Sequence, residues 1–388
     1  MEPSAPSLSR RRFTQLLGLG LASTAVGTAG AVRPATAATA ATAAPAAASP
    51  ANIVRLSANE NPYGPSPKAF DAMRQAFGLA WRYPDEGMDA LVADLAHHHK
   101  VGTGAVLLGN GSSEILKLCA AAFSGPGRPV VMADPAFEAL AIYAHAAGVE
   151  VIKVPLTADY QHDLARMQAA AGANQPAGLV YVCNPNNPTA TVTAKDRLSA
   201  FLTGLPAGVT ALVDEAYFHY ADPEDHPLYQ SVVPLTQEHP NVIVARTFSK
   251  VYGMAGLRCG YAVARPETIE LLRAQQSWDS INAMALAAAR ASLADGEHTA
   301  LSRRRNRETR AAVTAELERM GYRVLPSATN FLMADLRRPV GPVIAALHQR
   351  GVQVGRVFPA LPTHLRVTLG TPPQMKTCLA ALRQVLAG

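Results

Sequence analysis

The amino-acid sequence predicts an α/β fold: a large domain on a mainly parallel sheet covered by helices, followed by a smaller α+β domain. Three observations carry that expectation. From Asn52 to about residue 265, short apolar runs ending in turn or polar residues alternate with helix-patterned stretches. Strands buried on both faces, as in parallel sheets, read in this way. After residue 265 the alternation gives way to a long helical stretch and then to shorter mixed elements. The chain has 388 residues, 49% apolar and 16% charged, which suits about two globular domains with a large core.

In chain order, residues 1–50 stand apart. They hold Arg10, Arg11, Arg12 and Arg33 against Glu2, so four arginines and one glutamate make half of the formal charge of +6. The remainder is too weakly basic to argue for nucleic acid or a membrane surface as partner. Arg10-Arg11-Arg12-Phe13 is followed by a modest apolar run, Leu16–Ala22, and an Ala/Thr/Pro tract to about Pro50. These are the parts of an export signal, and the paired arginines with a weakly apolar, Gly-containing run resemble a twin-arginine signal. The expectation is export to the periplasm, with cytoplasmic residence as the alternative. The run is too short and too interrupted to span a membrane.

Strands are expected at Val130–Ala133, Gly178–Val182, Thr210–Val213 and Val242–Ala245, with helices at Glu114–Phe123, Ala136–Ala147 and Ala194–Leu202. Arg265–Met320 reads as one long helical stretch whose basic cluster, Arg303–Arg307, forms a solvated face. Short elements follow at Tyr322–Leu325, Asn330–Met333, Val340–Arg350 and Leu365–Thr368. The four cysteines, Cys119, Cys183, Cys259 and Cys378, are widely spaced and read as small buried hydrophobes rather than a disulfide or zinc set. His97–His99 reads as helix surface.

In parallel sheets, ligands sit beyond the carboxyl ends of the strands, so the residues just after each apolar run are the ones to inspect. Thr247-Phe248-Ser249-Lys250 runs on to Gly253, Gly256 and Arg258. Hydroxyls and a guanidinium suit a phosphate dianion, and glycines permit close backbone approach. A lysine beside a phosphate-bearing aldehyde can form an imine. Asp214 directly follows an apolar strand, where a carboxylate can pair with a pyridine nitrogen that must stay protonated; a helix N-cap is the plainer reading. Tyr217 could donate to a phenolic oxygen of the same ring. Asn184-Pro185-Asn186-Asn187-Pro188 is a tight turn whose amides point inward, or simply a polar turn. Gly109-Asn110-Gly111-Ser112-Ser113-Glu114 opens a helix and is a candidate phosphate site through backbone N–H groups. Phe137 could stack on a flat ring or belong to the core. Arg366, on an alternating strand, suits a bidentate grip on a carboxylate or phosphate.

Taken together, ANENPYGPSP (58–67), RYP (82–84), GNGSSE (109–114), NPNNPT (184–189), DEAY (214–217), SKVYGMAGLRCGY (249–261) and LRVTLGT (365–371) resemble, in order, the class I/II aminotransferases of fold type I, in the branch of histidinol-phosphate aminotransferases. The resemblance implies pyridoxal 5'-phosphate (PLP) held as a Schiff base on Lys250, a homodimer, and an amino-group transfer between an amino acid and a 2-oxo acid by a ping-pong route. It implies that Asp214 pairs with the pyridine nitrogen and that Tyr217 and Asn187 touch the phenolic oxygen. Gly111, Ser112, Ser113, Ser249 and Arg258, with Thr247, surround the phosphate, and Tyr83 reaches it from the other subunit. Phe137 stacks on the ring, Arg366 binds the acidic group of the substrate, and Asn59, Asn61 and Tyr63 line the substrate mouth. The organisation expected is a signal and linker at 1–50, an N-terminal arm packing with the small domain at 51–80, a PLP-binding domain at 81–265, and an interdomain helix with the small domain at 266–388.

One departure bears on the substrate. Histidinol-phosphate enzymes commonly carry an arginine straight after a GVxV strand; here Gly355 follows Gly351–Val354 and the arginine comes one residue later, at Arg356, which stays a candidate substrate residue. Together with the export signal, this favours an ordinary α-amino acid as donor. A decarboxylase, oxidase or racemase on the same fold is the alternative. A non-catalytic PLP-fold protein is a further one, against which the intact Lys250 argues.

Overall fold

The computed structural model describes residues 53–173 and 175–387; the twin-arginine motif and the Ala-rich tract lie outside them. Seven strands form the main sheet: β2 (Val106–Gly109), β3 (Val130–Asp134), β4 (Val151–Pro155), β5 (Leu179–Cys183), β6 (Thr210–Asp214), β7 (Val242–Thr247) and β8 (Gly260–Val263). The short β1 (Val54–Arg55) precedes them. Their order across the sheet is β2-β8-β7-β6-β5-β3-β4. The five strands from β7 to β4 are parallel, and β8 runs antiparallel to both β7 and β2. The expected runs coincide with β3, β5, β6 and β7, whose residues are almost all buried. β8 lacks a full helical crossover from β7, so the chain turns back on itself and pairs antiparallel.

The second half holds β9 (Arg323–Val324), β10 (Phe331–Asp335), β11 (Val352–Gln353) and β12 (His364–Thr368). β10 lies between β9 and β12, antiparallel to both, while β1 pairs with β11 in parallel. Two main hydrophobic cores result. The first gathers the seven-stranded sheet and its helices; the second gathers Leu56, Val313, Leu317 and the apolar faces of β10, β12 and the C-terminal helix Pro372–Ala387. Leu56 thus ties the start of the described chain to elements some three hundred residues away.

The long helical stretch differs from expectation. It is three helices, Pro266–Arg273, Ala283–Leu293 and Gly296–Arg319. Asn282 caps the second by accepting a hydrogen bond from the Ala285 backbone N–H. The first two bury Ile269, Leu272, Ala285 and Leu286 in the first core, whereas the third reaches the second core through Val313 and Leu317. The basic cluster keeps Arg304 and Arg305 exposed, as expected, but its other arginines are engaged in surface ion pairs. Arg303 pairs with Asp222 at 2.9 Å, Arg307 with Glu224 at 2.8 Å, and Arg310 with Asp225 at 2.6 Å, while Arg305 lies over the Tyr63 ring. A short acidic loop supplies the partners. All four cysteines are free and buried, as expected. His99 is half-buried against Tyr261, within 2.9 Å of its hydroxyl.

Candidate active site

The carboxyl ends of β5, β6 and β7, the start of the helix Ser112–Phe123 and one edge of β12 surround a cavity of about 320 Å³. Asn59, Ser112, Ser113, Phe137, Asn187, Asp214, Tyr217, Thr247, Ser249, Lys250, Arg258 and Arg366 all line it. Residues read separately from the sequence therefore share one space.

One end of the cavity is a set of anion donors. Gly111, at φ +73°, precedes the helix Ser112–Phe123, and a Cβ there would sit 2.1 Å from Arg258 Nη2. Only glycine lets the guanidinium lie directly on that turn. Gly260 plays the same part from β8, because a Cβ there would come within 2.4 Å of the Ser112 backbone nitrogen. Arg258 is itself left-handed, at φ +60°, and is held by hydrogen bonds from Nη1 to the Ala255 carbonyl at 3.0 Å and to Ser249 Oγ at 3.3 Å. The Thr247 hydroxyl donates to Ser249 Oγ at 2.9 Å and accepts from the Ser249 N–H at 3.0 Å. A helix N-terminus, several hydroxyls and a guanidinium converge here, which is the donor set a phosphate dianion takes.

At the other end stand the groups that suit a ring and an amine. Asp214 closes β6, buried, accepting from Tyr181 Oη at 3.0 Å and from the Ala216 N–H at 3.0 Å. Burial raises its pKa to about 6 against the pull of those two hydrogen bonds and of Lys250. Lys250 Nζ donates to the Asn59 carbonyl at 3.1 Å and to that of Ala58 at 3.4 Å, 5.5 Å from the centre of the Tyr217 ring. Burial, then repulsion from Arg366, lowers its pKa to about 8. The amine thus gives up its proton more readily than an ordinary lysine, and the neutral form that attacks a carbonyl predominates above about pH 8. Tyr217 Oη accepts from Asn59 Nδ2 at 3.0 Å. Arg366 Nη1 donates to Asn187 Oδ1 at 2.7 Å and Nη2 to the Ser57 carbonyl at 2.6 Å. This turns the Asn187 amide so that its NH2 is the donating end. Arg366 Nε is buried with no hydrogen-bond partner among the described residues, as a guanidinium awaiting an anion would be. Phosphate donors at one end, a carboxylate and a lysine amine at the other, and a wall of Phe137 fit pyridoxal phosphate.

Some expected site residues lie elsewhere. Asn61 turns away, donating to the Val251 carbonyl at 2.8 Å, and lines an adjoining cleft of about 430 Å³ that shares Ala255 with the cavity. Tyr63 is drawn off by Arg305, 4.7 Å above its ring. Arg356 pairs with Glu138 and leans on the Phe358 ring instead of lining the cavity. Tyr83, expected to act on the other subunit, is 76% exposed on its own and lies in a cleft of about 650 Å³ beside Trp81 and Leu286. Conversely, Cys183, a core residue as expected, also lines the cavity. Its place as the last residue of β5 was the signal, since that is where ligands sit.

Beneath the site is a buried ion pair that sequence reasoning missed. Glu215 Oε2 accepts from Arg246 Nε at 3.0 Å, from Arg246 Nη2 at 2.7 Å and from the Ser231 hydroxyl at 2.8 Å, while Oε1 accepts from the Val232 N–H at 2.8 Å. The two side chains are 2% and 3% exposed. The pair clamps the residue after Asp214 to the residue before Thr247. Arg246→Met leaves Glu215 as an uncompensated buried charge and is expected to cost about 3–5 kcal/mol in denaturant unfolding, with the double variant Glu215→Met/Arg246→Met recovering much of the loss.

The geometry agrees with comparisons to known proteins. Residues 51–382 match the family model for aminotransferase class I and II. The chain is 40% identical over 338 residues to the histidinol-phosphate aminotransferase of Moorella thermoacetica, covering 87% of this chain and 86% of the relative. It is 41% identical over 336 residues to that of Symbiobacterium thermophilum, covering 86% and 91%. Among solved structures, histidinol-phosphate aminotransferase from Sinorhizobium meliloti in complex with pyridoxal-5'-phosphate superimposes with a TM-score of 0.81 at 29% identity, covering 87% of this chain and 91% of that one. With its cavity assembled from the same motifs that run through the matched region, this chain belongs to the class I and II aminotransferases.

Proposed function

We propose that this aminotransferase uses pyridoxal phosphate on Lys250 to move an amino group from an ordinary α-amino acid to a 2-oxo acid. The observation that carries the reading is the buried, easily neutralised Lys250 amine and the Asp214 carboxylate in one cavity with a phosphate-type donor set. Bound pyridoxal phosphate supplies a carbonyl that exchanges amines and a protonated ring that draws electron density from the Cα–H bond. The protein's residues do the rest. Ser112, Ser113, Ser249 and Arg258 anchor the phosphate, and Asp214 keeps the positive charge on the ring nitrogen. Tyr217 and the Asn187 amide hold the phenolic oxygen. Lys250, once its amine is free, takes the proton from Cα and returns it one atom along. Arg366 orients the substrate carboxylate, and the cavity walls exclude bulk water.

Two further parts belong to the proposal. Leu79, Trp81 and Tyr83, each more than half exposed, share one cleft and make an apolar surface of the kind that pairs subunits. A homodimer in which Tyr83 reaches the partner's phosphate site is the arrangement we infer. The N-terminal motif Arg10-Arg11-Arg12-Phe13 with Leu16–Ala22 supports export through a twin-arginine route, and with it a donor other than a biosynthetic phosphate ester.

The test is a donor screen in half-reactions. Without acceptor, a true donor is expected to yield one equivalent of 2-oxo acid per site and then stop, resuming when a second 2-oxo acid is added. Continuous turnover without acceptor, or release of carbon dioxide, would replace transamination by the oxidase or decarboxylase reading.

A further inference from the structure

Two guanidiniums flank one ring beside the cavity. Arg366 lies 5.2 Å from the centre of the Phe358 ring and Arg356 4.3 Å from it. Arg366 lines the cavity; Arg356 lies just outside, where Glu138 meets it in an ion pair. Glu138 directly follows Phe137, another lining residue, so the pair joins the entry of the helix Ala139–Ala146 to the segment after β11 at the cavity's edge. Glu138 is 50% and Arg356 49% exposed, and the two are 218 positions apart in sequence. Gly355, before Arg356, packs flat on Arg366: a Cβ there would come 3.0 Å from Arg366 Cβ and 3.2 Å from its Nε. No side chain at 355 can share that space, so in this segment the cation is carried one residue later, by Arg356. Burial first, and then repulsion from Arg356, pull the Arg366 guanidinium below its ordinary range, so the two cations act on one another.

We propose that Glu138 is a specificity-determining residue: its carboxylate occupies Arg356 and so makes the site prefer substrates with one acidic group over those with a second, distal one. The inference rests on the reading of Arg366 as the grip on the first carboxylate. A substrate lying along Phe358 with that group on Arg366 brings its far end toward Arg356. A neutral far end leaves the Glu138–Arg356 pair intact. An anionic far end must displace Glu138 and then sit beside a freed carboxylate of like charge. An exposed ion pair is weak enough to be displaced, so the effect is a graded preference rather than exclusion.

The experiment compares two acceptors of equal chain length, 2-oxopentanoate and 2-oxoglutarate, which differ at the far end by a methyl against a carboxylate. The readout is the ratio of kcat/KM for 2-oxoglutarate over 2-oxopentanoate in the holoenzyme. Glu138→Gln is expected to raise this ratio about fivefold, the size of one exposed charge interaction, chiefly through KM for 2-oxoglutarate. Arg356→Gln, which leaves Glu138 alone at the mouth, is expected to lower the ratio by a similar factor. A ratio that stays put in Glu138→Gln, or two acceptors that change in parallel, would overturn the assignment while leaving transamination standing. If no donor and acceptor pair is turned over at all, the proposed function fails and this assignment falls with it.

Discussion

Lys250→Ala is expected to abolish turnover, lowering kcat by roughly a thousandfold or more, the upper range for losing a group that transfers protons in the transition state. The expectation follows from where the amine sits. Its hydrogen bonds are to the Asn59 and Ala58 carbonyls, at the same end of the cavity as Tyr217, so removing it takes little from the fold and everything from the proton path. Single-turnover kinetics with a saturating donor should show the defect in the chemical step, and a small primary amine added to the buffer should restore part of the rate. A variant that retains turnover within tenfold of the native enzyme, and gains nothing from added amine, would sink the assignment of Lys250. The native protein offers a second reading of the same group. Only the neutral amine attacks a carbonyl, and the Lys250 pKa is lowered to about 8 by burial, then by Arg366. Cofactor uptake by the cofactor-free protein should therefore accelerate as pH rises through about 8 and level off above it.

How much of this was legible in the sequence depends on how far apart the partners lie. The strands β3, β5, β6 and β7 announce themselves because a strand covered on both faces is a continuous apolar run, and their last residues mark the site. Asp214, Asn187 and Lys250 were found by that rule. The edge strand β4 and the antiparallel β8 were not: β4 carries a lysine and an exposed proline, and β8 owes its direction to the loop before it rather than to its own residues. The break between the helices Ala283–Leu293 and Gly296–Arg319 rests on one short signal, Asp295-Gly296, after an alanine-rich stretch in which periodicity says little. Long-range pairs escape altogether. Arg303 with Asp222, Arg246 with Glu215 and Arg356 with Glu138 are each held by the fold, and no local pattern distinguishes such an arginine from one facing water. That is why Arg356 was expected to face the substrate and is found engaged by Glu138.

The second large effect belongs to Asp214. Its carboxylate is buried at the end of β6, with Oδ1 accepting from the Ala216 N–H and Oδ2 from Tyr181 Oη, so its orientation is fixed before any ligand arrives. Asp214→Asn keeps the size and most of these contacts but removes the charge. A neutral amide cannot hold a proton on a pyridine nitrogen, and an unprotonated ring draws electron density from Cα far less strongly. A loss of roughly 100–1,000-fold in kcat is expected, the scale for removing one preorganised electrostatic group, with KM for the amino donor little changed. The pH dependence separates this role from mere packing. Burial raises the Asp214 pKa above its ordinary value, to about 6, so the carboxylate is charged above that pH and is lost as pH falls through it. Native affinity for pyridoxal phosphate, measured by equilibrium dialysis against the cofactor-free protein, should therefore weaken as pH drops through about 6. In Asp214→Asn that acid limb should vanish, leaving an affinity that is weaker and flat with pH over the same range. A variant that keeps the limb would place the titrating group elsewhere and remove Asp214 from the ring nitrogen; the same linkage makes the Asp214 carboxylate a cost to the cofactor-free fold that builds up as pH rises from about 4 to about 6 and is present in full above, so Asp214→Asn should gain stability most above pH 6 as it loses activity.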